Sequence, residues 1–107
     1  MKVETMNNIK TTLKVVCGKW KGVILIELFD DSLRFSEIKK RIPDIHHQTL
    51  IKQLKELEED QLISRYEHAV VPPKVEYSIT EYGRSIFPLL KEMEQWGKHH
   101  RVNVEYE

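Results

Sequence analysis

A chain of 107 residues, 40% of them apolar, is long enough for one domain with a modest core and too short for two. Its 17 Lys and Arg are matched by 17 Asp and Glu, so no bulk charge steers it toward a polyanion, and a single cysteine, Cys17, excludes an internal disulfide. No apolar run approaches the roughly 20 residues that cross a bilayer, and the amino terminus lacks the basic, apolar and small-residue regions of a signal peptide. The expectation is a soluble, cytoplasmic protein with no membrane partner.

Met1 to Met6 carry no periodic pattern. Asn7 or Asn8 is placed to cap a first helix, about residues 8–17, in which Ile9, Leu13 and Val16 share a face before Gly18. From Lys19 to Phe29 the residues Trp20, Val23, Ile24, Leu25, Ile26 and Leu28 leave little polar surface, as in a helix packed on several sides. The β-branched members would also suit a buried strand, but the length favours a helix. Asp30, Asp31 and Ser32 form a connection, and Ser36 is a candidate cap for the third helix.

Arg34 to Leu57 then reads as two helices around a tight turn, a helix-turn-helix over about residues 35–59. Phe35, Ile38 and Ile42 share one face, Pro43 and Asp44 break the first helix, and the second begins near His46 with Leu50, Leu54 and Leu57 inward. At about 100° per residue, Gln48, Lys52 and Lys55 fall in a narrow sector opposite those leucines. Charge is segregated here: Arg34, Lys39, Lys40, Arg41, Lys52 and Lys55 outnumber Glu37 and Asp44, and an acidic run from Glu56 to Asp60 follows. Such a face suits a DNA major groove, and it equally suits the solvated back of an ordinary helical pair.

After Leu62 the period changes from about 3.6 to 2. Tyr66, His68 and Val70 alternate with Arg65, Glu67 and Ala69, and Val75, Tyr77 and Ile79 alternate with Glu76 and Ser78. This is a hairpin over about residues 63–79 whose Pro72-Pro73 tip has no backbone donors and should be stiff and exposed. Thr80 caps a last helix, about residues 81–100, in which Ile86, Leu89, Leu90, Met93 and Trp96 recur. Pro88 should bend it, and Gly97 should end its regular pattern.

The sum is mainly α with a small β-hairpin, a winged helix-turn-helix. In that architecture the recognition helix contacts base edges while the wing and helix ends hold phosphates. The candidate base-reading residues are His47, Gln48, Thr49 and Lys52, since Gln pairs bidentately with adenine and Lys donates to guanine. Ile51 could touch a thymine methyl, though packing on the neighbouring helix is the preferred account. Arg34, Lys39, Lys40, His46 and Lys55, with Arg65, His68 and Lys74 in the wing, are candidate phosphate contacts; plain solvation is the alternative for each. Lys19 and Lys21 open a helix whose amino terminus favours anions, so each is either a phosphate contact or part of a solvated surface. The first and last helices either cap the monomer's own core or pair with symmetry mates in a homodimer through Ile9, Leu13, Leu90, Met93 and Trp96. The second arrangement is favoured by the apolar residues near the carboxy terminus.

Cys17 is either a thiol activated by Lys14, Lys19 and Lys21 or a small apolar residue at a helix end. The pairs His46-His47 and His99-His100 do not share a helix face and lack further ligands, so no metal is expected. No phosphate-cradling glycine loop, nucleophile elbow or Ser, His and acid set is present, so neither catalysis nor a cofactor is expected.

These residues resemble the HxlR-type regulators, bacterial winged-helix transcription factors related to the MarR group. The likeness is carried by Gly18-Lys19-Trp20-Lys21, by RFSEIKKRIPDI with Leu50, Leu54, Lys55, Glu56 and Leu57, and by VPPKVEYSITEYGRSI with Pro88, Leu89, Leu90 and Trp96. It implies a dimer, joined through the first and last helices, that binds a palindromic or near-palindromic operator and represses or activates a neighbouring gene. The chain departs from the family at two places. Asn7 stands where many relatives that sense electrophiles or oxidants carry a cysteine, and His46 stands where a serine commonly opens the recognition helix. A small-molecule or redox effector is compatible with the resemblance. The competing reading is a winged-helix protein-interaction module that does not read DNA, which the balanced charge and the acidic run support.

Overall fold

The computed structural model describes residues 2–16 and 18–104. Its elements are α1 (Val3–Val16), α2 (Lys21–Leu28), α3 (Phe35–Arg41), α4 (His47–Glu59), β1 (Ile63–His68), β2 (Lys74–Ile79), α5 (Glu81–Arg84) and α6 (Phe87–Val104). The fold is the expected winged helix-turn-helix, mostly helical with one antiparallel hairpin.

The apolar helix α2 lies at the centre and buries Ile24, Leu25 and Leu28 against Ile38 of α3 and Leu50, Leu54 and Leu57 of α4. Ile42 and Ile45 in the turn are buried in the same cluster, so the angle between α3 and α4 is held by apolar anchors on both sides of Pro43-Asp44. Glu37, not Ser36, caps α3. The Glu37 carboxylate accepts the Arg34 N–H at 2.8 Å, while the Glu37 N–H donates to the Arg34 carbonyl at 3.0 Å. Ser36 lies inside the first turn, where its hydroxyl is past the capping position.

The end of α4 is a Schellman closure. Gln61 N–H donates to the Glu58 carbonyl at 2.9 Å and Leu62 N–H to the Leu57 carbonyl at 3.0 Å, with Leu57 and Leu62 both buried. This requires Gln61 to adopt φ of 65°, a conformation that penalises any side chain. Gln61→Gly is therefore expected to stabilise the fold by about 1 kcal/mol, read as a rise in the thermal midpoint of several degrees.

In the wing, Ile63 pairs with Ile79 and the register runs to His68 opposite Lys74. Leu33 and Tyr77 exchange a reciprocal pair of backbone hydrogen bonds at 2.9 and 2.8 Å, adding a bridge outside the hairpin that fastens the segment before α3 to β2. Thr80 turns the chain into α5. Its Oγ1 accepts the Gly83 N–H at 2.7 Å and lies 2.7 Å from the Gln61 carbonyl and 3.1 Å from the Leu62 carbonyl.

Three boundaries differ from expectation. α1 begins at Val3, and Asn7 and Asn8 lie within it, where their carbonyls accept the Thr11 and Thr12 hydroxyls at 2.9 and 3.1 Å. The last helix is two helices. Pro88 falls in the first turn of α6, where its missing N–H removes no helical bond, so it starts a helix and does not bend one. Gly97 does not end α6, which continues through Val104: a lone interior glycine costs only about 1 kcal/mol, and no turn-forming residue follows it before Asn103. The anchor of α6 is aromatic, Phe87 stacked on Phe29 at 4.1 Å with the Arg84 guanidinium 4.9 Å from the Phe29 ring.

Among the described residues, α1 buries only Val16 and α6 only Leu90. The radius of gyration, 15.7 Å, exceeds the roughly 13 Å of a compact domain of this size, and the longest extent is 53 Å. Most of both terminal helices is thus without an internal partner surface.

Candidate nucleic-acid interface

The packing of α4 decides which side chains it offers to solvent. Leu50, Leu54 and Leu57 point inward; Thr49, Gln53 and Glu56 are half-buried on one flank; His47, Gln48, Ile51, Lys52 and Lys55 are exposed. Thr49 is half-buried on the shoulder of the helix, and Ile51, at 42% exposure, is more open than the packing on a neighbouring helix expected of it. His46 holds the N-cap position with extended backbone and makes no side-chain capping bond, so this helix start is built without the usual hydroxyl or carboxylate. His47 packs its ring edge-on against Phe35 at 4.8 Å, which fixes the first turn of α4 against the start of α3.

The other basic candidates are unequal. Arg34 and Lys40 are exposed, whereas Lys39 is half-buried with its Nζ donating to the Pro43 carbonyl at 3.0 Å. Arg41 is drawn away into ion pairs with Glu27 at 3.5 Å and Asp31 at 3.4 Å. In the wing, Arg65 is exposed with Glu67 3.9 Å away, and Lys74 is half-buried. His68 is occupied: its Nε2 lies 2.6 Å from Glu76 Oε1, and Tyr66 meets its ring edge-on at 4.7 Å. The Glu76 carboxyl is held below its ordinary range, chiefly by that hydrogen bond, against desolvation and with help from the charges of Lys74, His68 and Arg34. Arg34, Lys74 and His68 thus all bear on the Glu76 carboxyl at the junction of α3 and the wing.

Lys21 is not a phosphate ligand. Only 8% of its side chain is exposed, and its Nζ is 2.8 Å from Glu56 Oε1, so the first residue of α2 is bolted to α4. A lysine inside an apolar run reads in sequence as a helix-start cation, and only tertiary packing shows it turned inward toward an acid 35 positions later. Part of the acidic run is thereby explained, since Glu56, Glu59 and Asp60 face Lys14 and Lys21 across a groove of about 390 Å³. Lys19 remains exposed, with its Nζ 4.8 Å from the Trp20 ring.

Glu56 is also held below the ordinary carboxylate range, chiefly by the hydrogen bond from Lys21, opposed by desolvation and aided by the charges of Lys21 and Lys52. A carboxyl depressed in the folded state contributes stability in full above its ordinary value, about 4, and loses it as the pH falls through the depressed value. Glu76 has the same sign. The urea midpoint is therefore expected to fall as pH drops below about 4, and Glu56→Gln should lower the neutral-pH midpoint while flattening that acid decline.

Of the side chains expected at a partner interface, Ile9, Leu13, Met93 and Trp96 are exposed, whereas Leu90 is buried in the chain's own core. Ile9, Leu13 and Val16 face Leu89 and Met93 across an apolar groove of about 480 Å³, and the exposed Trp96 ring stacks on His100 at 4.8 Å. Cys17 lies outside the described residues. Among those described, no group of three or more His, Cys, Asp or Glu converges to hold a metal, and no helix is long and apolar enough to cross a membrane.

Comparison with known proteins adds an independent line. The family model of the HxlR-like helix-turn-helix matches residues 15–105. The uncharacterized HTH-type transcriptional regulator YdeP of Bacillus subtilis is 43% identical over 97 residues, covering 91% of this chain and 76% of YdeP. Among solved structures, the redox regulator HypR in its reduced form superposes with a TM-score of 0.85 at 41% identity, covering 92% of this chain and 99% of HypR. The HTH-type regulator ytcD superposes with a TM-score of 0.83 at 43% identity, covering 96% of this chain and 99% of ytcD. A helix-turn-helix with an exposed α4 face, a wing tied to it, and similarity over nearly its whole length together show that this chain belongs to the HxlR-like helix-turn-helix family of DNA-binding transcriptional regulators.

Proposed function

We propose that the chain acts as a homodimer that recognises a palindromic operator, each α4 entering a major groove and each wing lying along the adjacent backbone. The observation that carries this reading is the exposed face of α4, where Gln48, Lys52 and Lys55 stand free of the core. Gln48 and Lys52 are assigned to base edges, with His47 at the helix start and Thr49 on the shoulder. Arg34, Lys40, His46, Lys55, Arg65 and Lys74 are assigned to phosphates. Lys39 and His68 are weaker members of that set, because each already holds an internal partner.

The dimer is supported by the apolar faces of α1 and α6, which the protomer leaves uncovered. Two-fold symmetry would place half-site centres about 34 Å apart, or a multiple of that distance. An effector belongs to the same reading. HypR is named a redox regulator, and any thiol input here must pass through Cys17, the chain's single cysteine, since Asn7 carries no sulfur. The pairing of Glu56 with Lys21 takes away part of the acidic surface that favoured a protein-binding module.

The test is binding to the flanking genomic DNA across a salt series. The logarithm of affinity should fall linearly with the logarithm of salt, by about 0.9 for each phosphate contacted. Lys52→Ala should alter sequence preference, whereas Lys74→Ala should weaken all sequences alike and reduce the salt slope by about 1. A flat salt response with no sequence preference would overturn the assignment, and uniform loss from Lys52→Ala would move that residue to the phosphate set.

A further inference from the structure

The exposed arc of α4 does not lie opposite its leucines. Taking about 100° per residue from Gln48, the buried leucines cluster near 200°, the half-buried Thr49, Gln53 and Glu56 lie at roughly 80–140°, and exposed His47, Ile51 and Glu58 lie at roughly 260–300°. The open arc therefore runs from His47 round to Lys52, and its middle falls on Ile51, Lys55 and Gln48. Lys52 stands toward one edge.

Ile51 is the one apolar side chain on that arc among the described residues, and it is 42% exposed. It sits between Gln48 and Lys55, a stretch of α4 about 10 Å long that spans roughly three base pairs. A pose that sets Gln48 on a base edge and Lys55 on the flanking phosphate sets Ile51, which lies between them along the helix, over the neighbouring base edge. Isoleucine has no donor or acceptor, so it gains nothing from a phosphate or from a polar base edge. The major groove of unmodified DNA displays one apolar substituent, the C5 methyl of thymine.

We infer that Ile51 is a specificity-determining residue that selects thymine by burying its side chain against the 5-methyl group. This rests on the DNA-reading role proposed above, and the experiment separates the two. Duplexes are enriched from a randomised pool with the wild-type protein, and each thymine of the enriched site is then replaced singly by deoxyuridine, which removes the methyl and nothing else. At one position in each half-site the replacement should weaken wild-type binding about fourfold, the factor carried by one buried methyl-sized group. Ile51→Ala should bind thymine and deoxyuridine equally at that position while keeping the wild-type melting curve, as befits a side chain outside the core. An enriched site without thymine, a methyl penalty at no position, or a penalty that persists in Ile51→Ala overturns the inference and leaves DNA reading standing. A pool with no enriched sequence overturns both.

Discussion

Gly83→Ala is expected to cost at least about 3 kcal/mol of stability, a large part of the 5–15 kcal/mol typical of a domain. A Cβ on Gly83 would fall 2.0 Å from the Leu62 carbonyl oxygen, 2.9 Å from the Leu62 carbonyl carbon and 2.9 Å from Ile79 Cγ1. Two of those three atoms are backbone and cannot swing aside as a flexible side chain would. The Leu62 carbonyl also accepts the Thr80 N–H at 3.0 Å, and Thr80 Oγ1 accepts the Gly83 N–H at 2.7 Å. Moving α5 away to admit a methyl would break the cap and loosen the junction between the end of α4 and the end of the wing. A urea titration of the variant reads this directly, and a midpoint within error of wild type would contradict the close approach.

Trp96→Glu is expected to convert the proposed dimer to single chains and to lower affinity for the proposed operator by about 10²–10⁴-fold. Trp96 is 68% exposed, while Leu13, Ile9 and Met93 expose much of their apolar surface on the same two terminal helices. A carboxylate at this place would be buried without a partner if two copies met there. The affinity falls because a dimer's second half-site contact is intramolecular, whereas a lone chain gains no such local concentration. Light scattering and operator titration measure the two effects together. A Trp96→Glu protein that keeps twice the mass of one chain would remove α6 from the interface.

Much of the fold was legible because its signals are local. The switch from a 3.6 to a 2 period after Leu62, the Pro43-Asp44 break and the Thr80 cap each follow from a few neighbouring residues, and together they specify the winged helix-turn-helix. The terminal helices were less legible. Asn7, Asn8 and Gly97 carry helix-boundary chemistry that goes unused, because α1 and α6 continue past those residues with little of the core to constrain where they stop. At the candidate interface, the outer position of Gln48, Lys52 and Lys55 was readable from the leucine spacing. The rotation of the open arc toward Ile51 was not, since it depends on what shields Thr49, Gln53 and Glu56 from solvent. The inward turn of Lys21 was illegible for a related reason: its partner, Glu56, is far away in sequence and near only in space.

The reciprocal Leu33–Tyr77 bridge has a bearing on regulation. It ties the wing to the segment before α3, while the Lys21–Glu56 pair ties the central helix to α4, so bonds from four separate parts of the chain brace the head. In the proposed dimer, a signal arriving at α1 or α6 would meet these ties within the head, so its readout would be the gap between the two heads. Control would then work as a calliper does, by opening or closing a distance against the fixed pitch of the double helix.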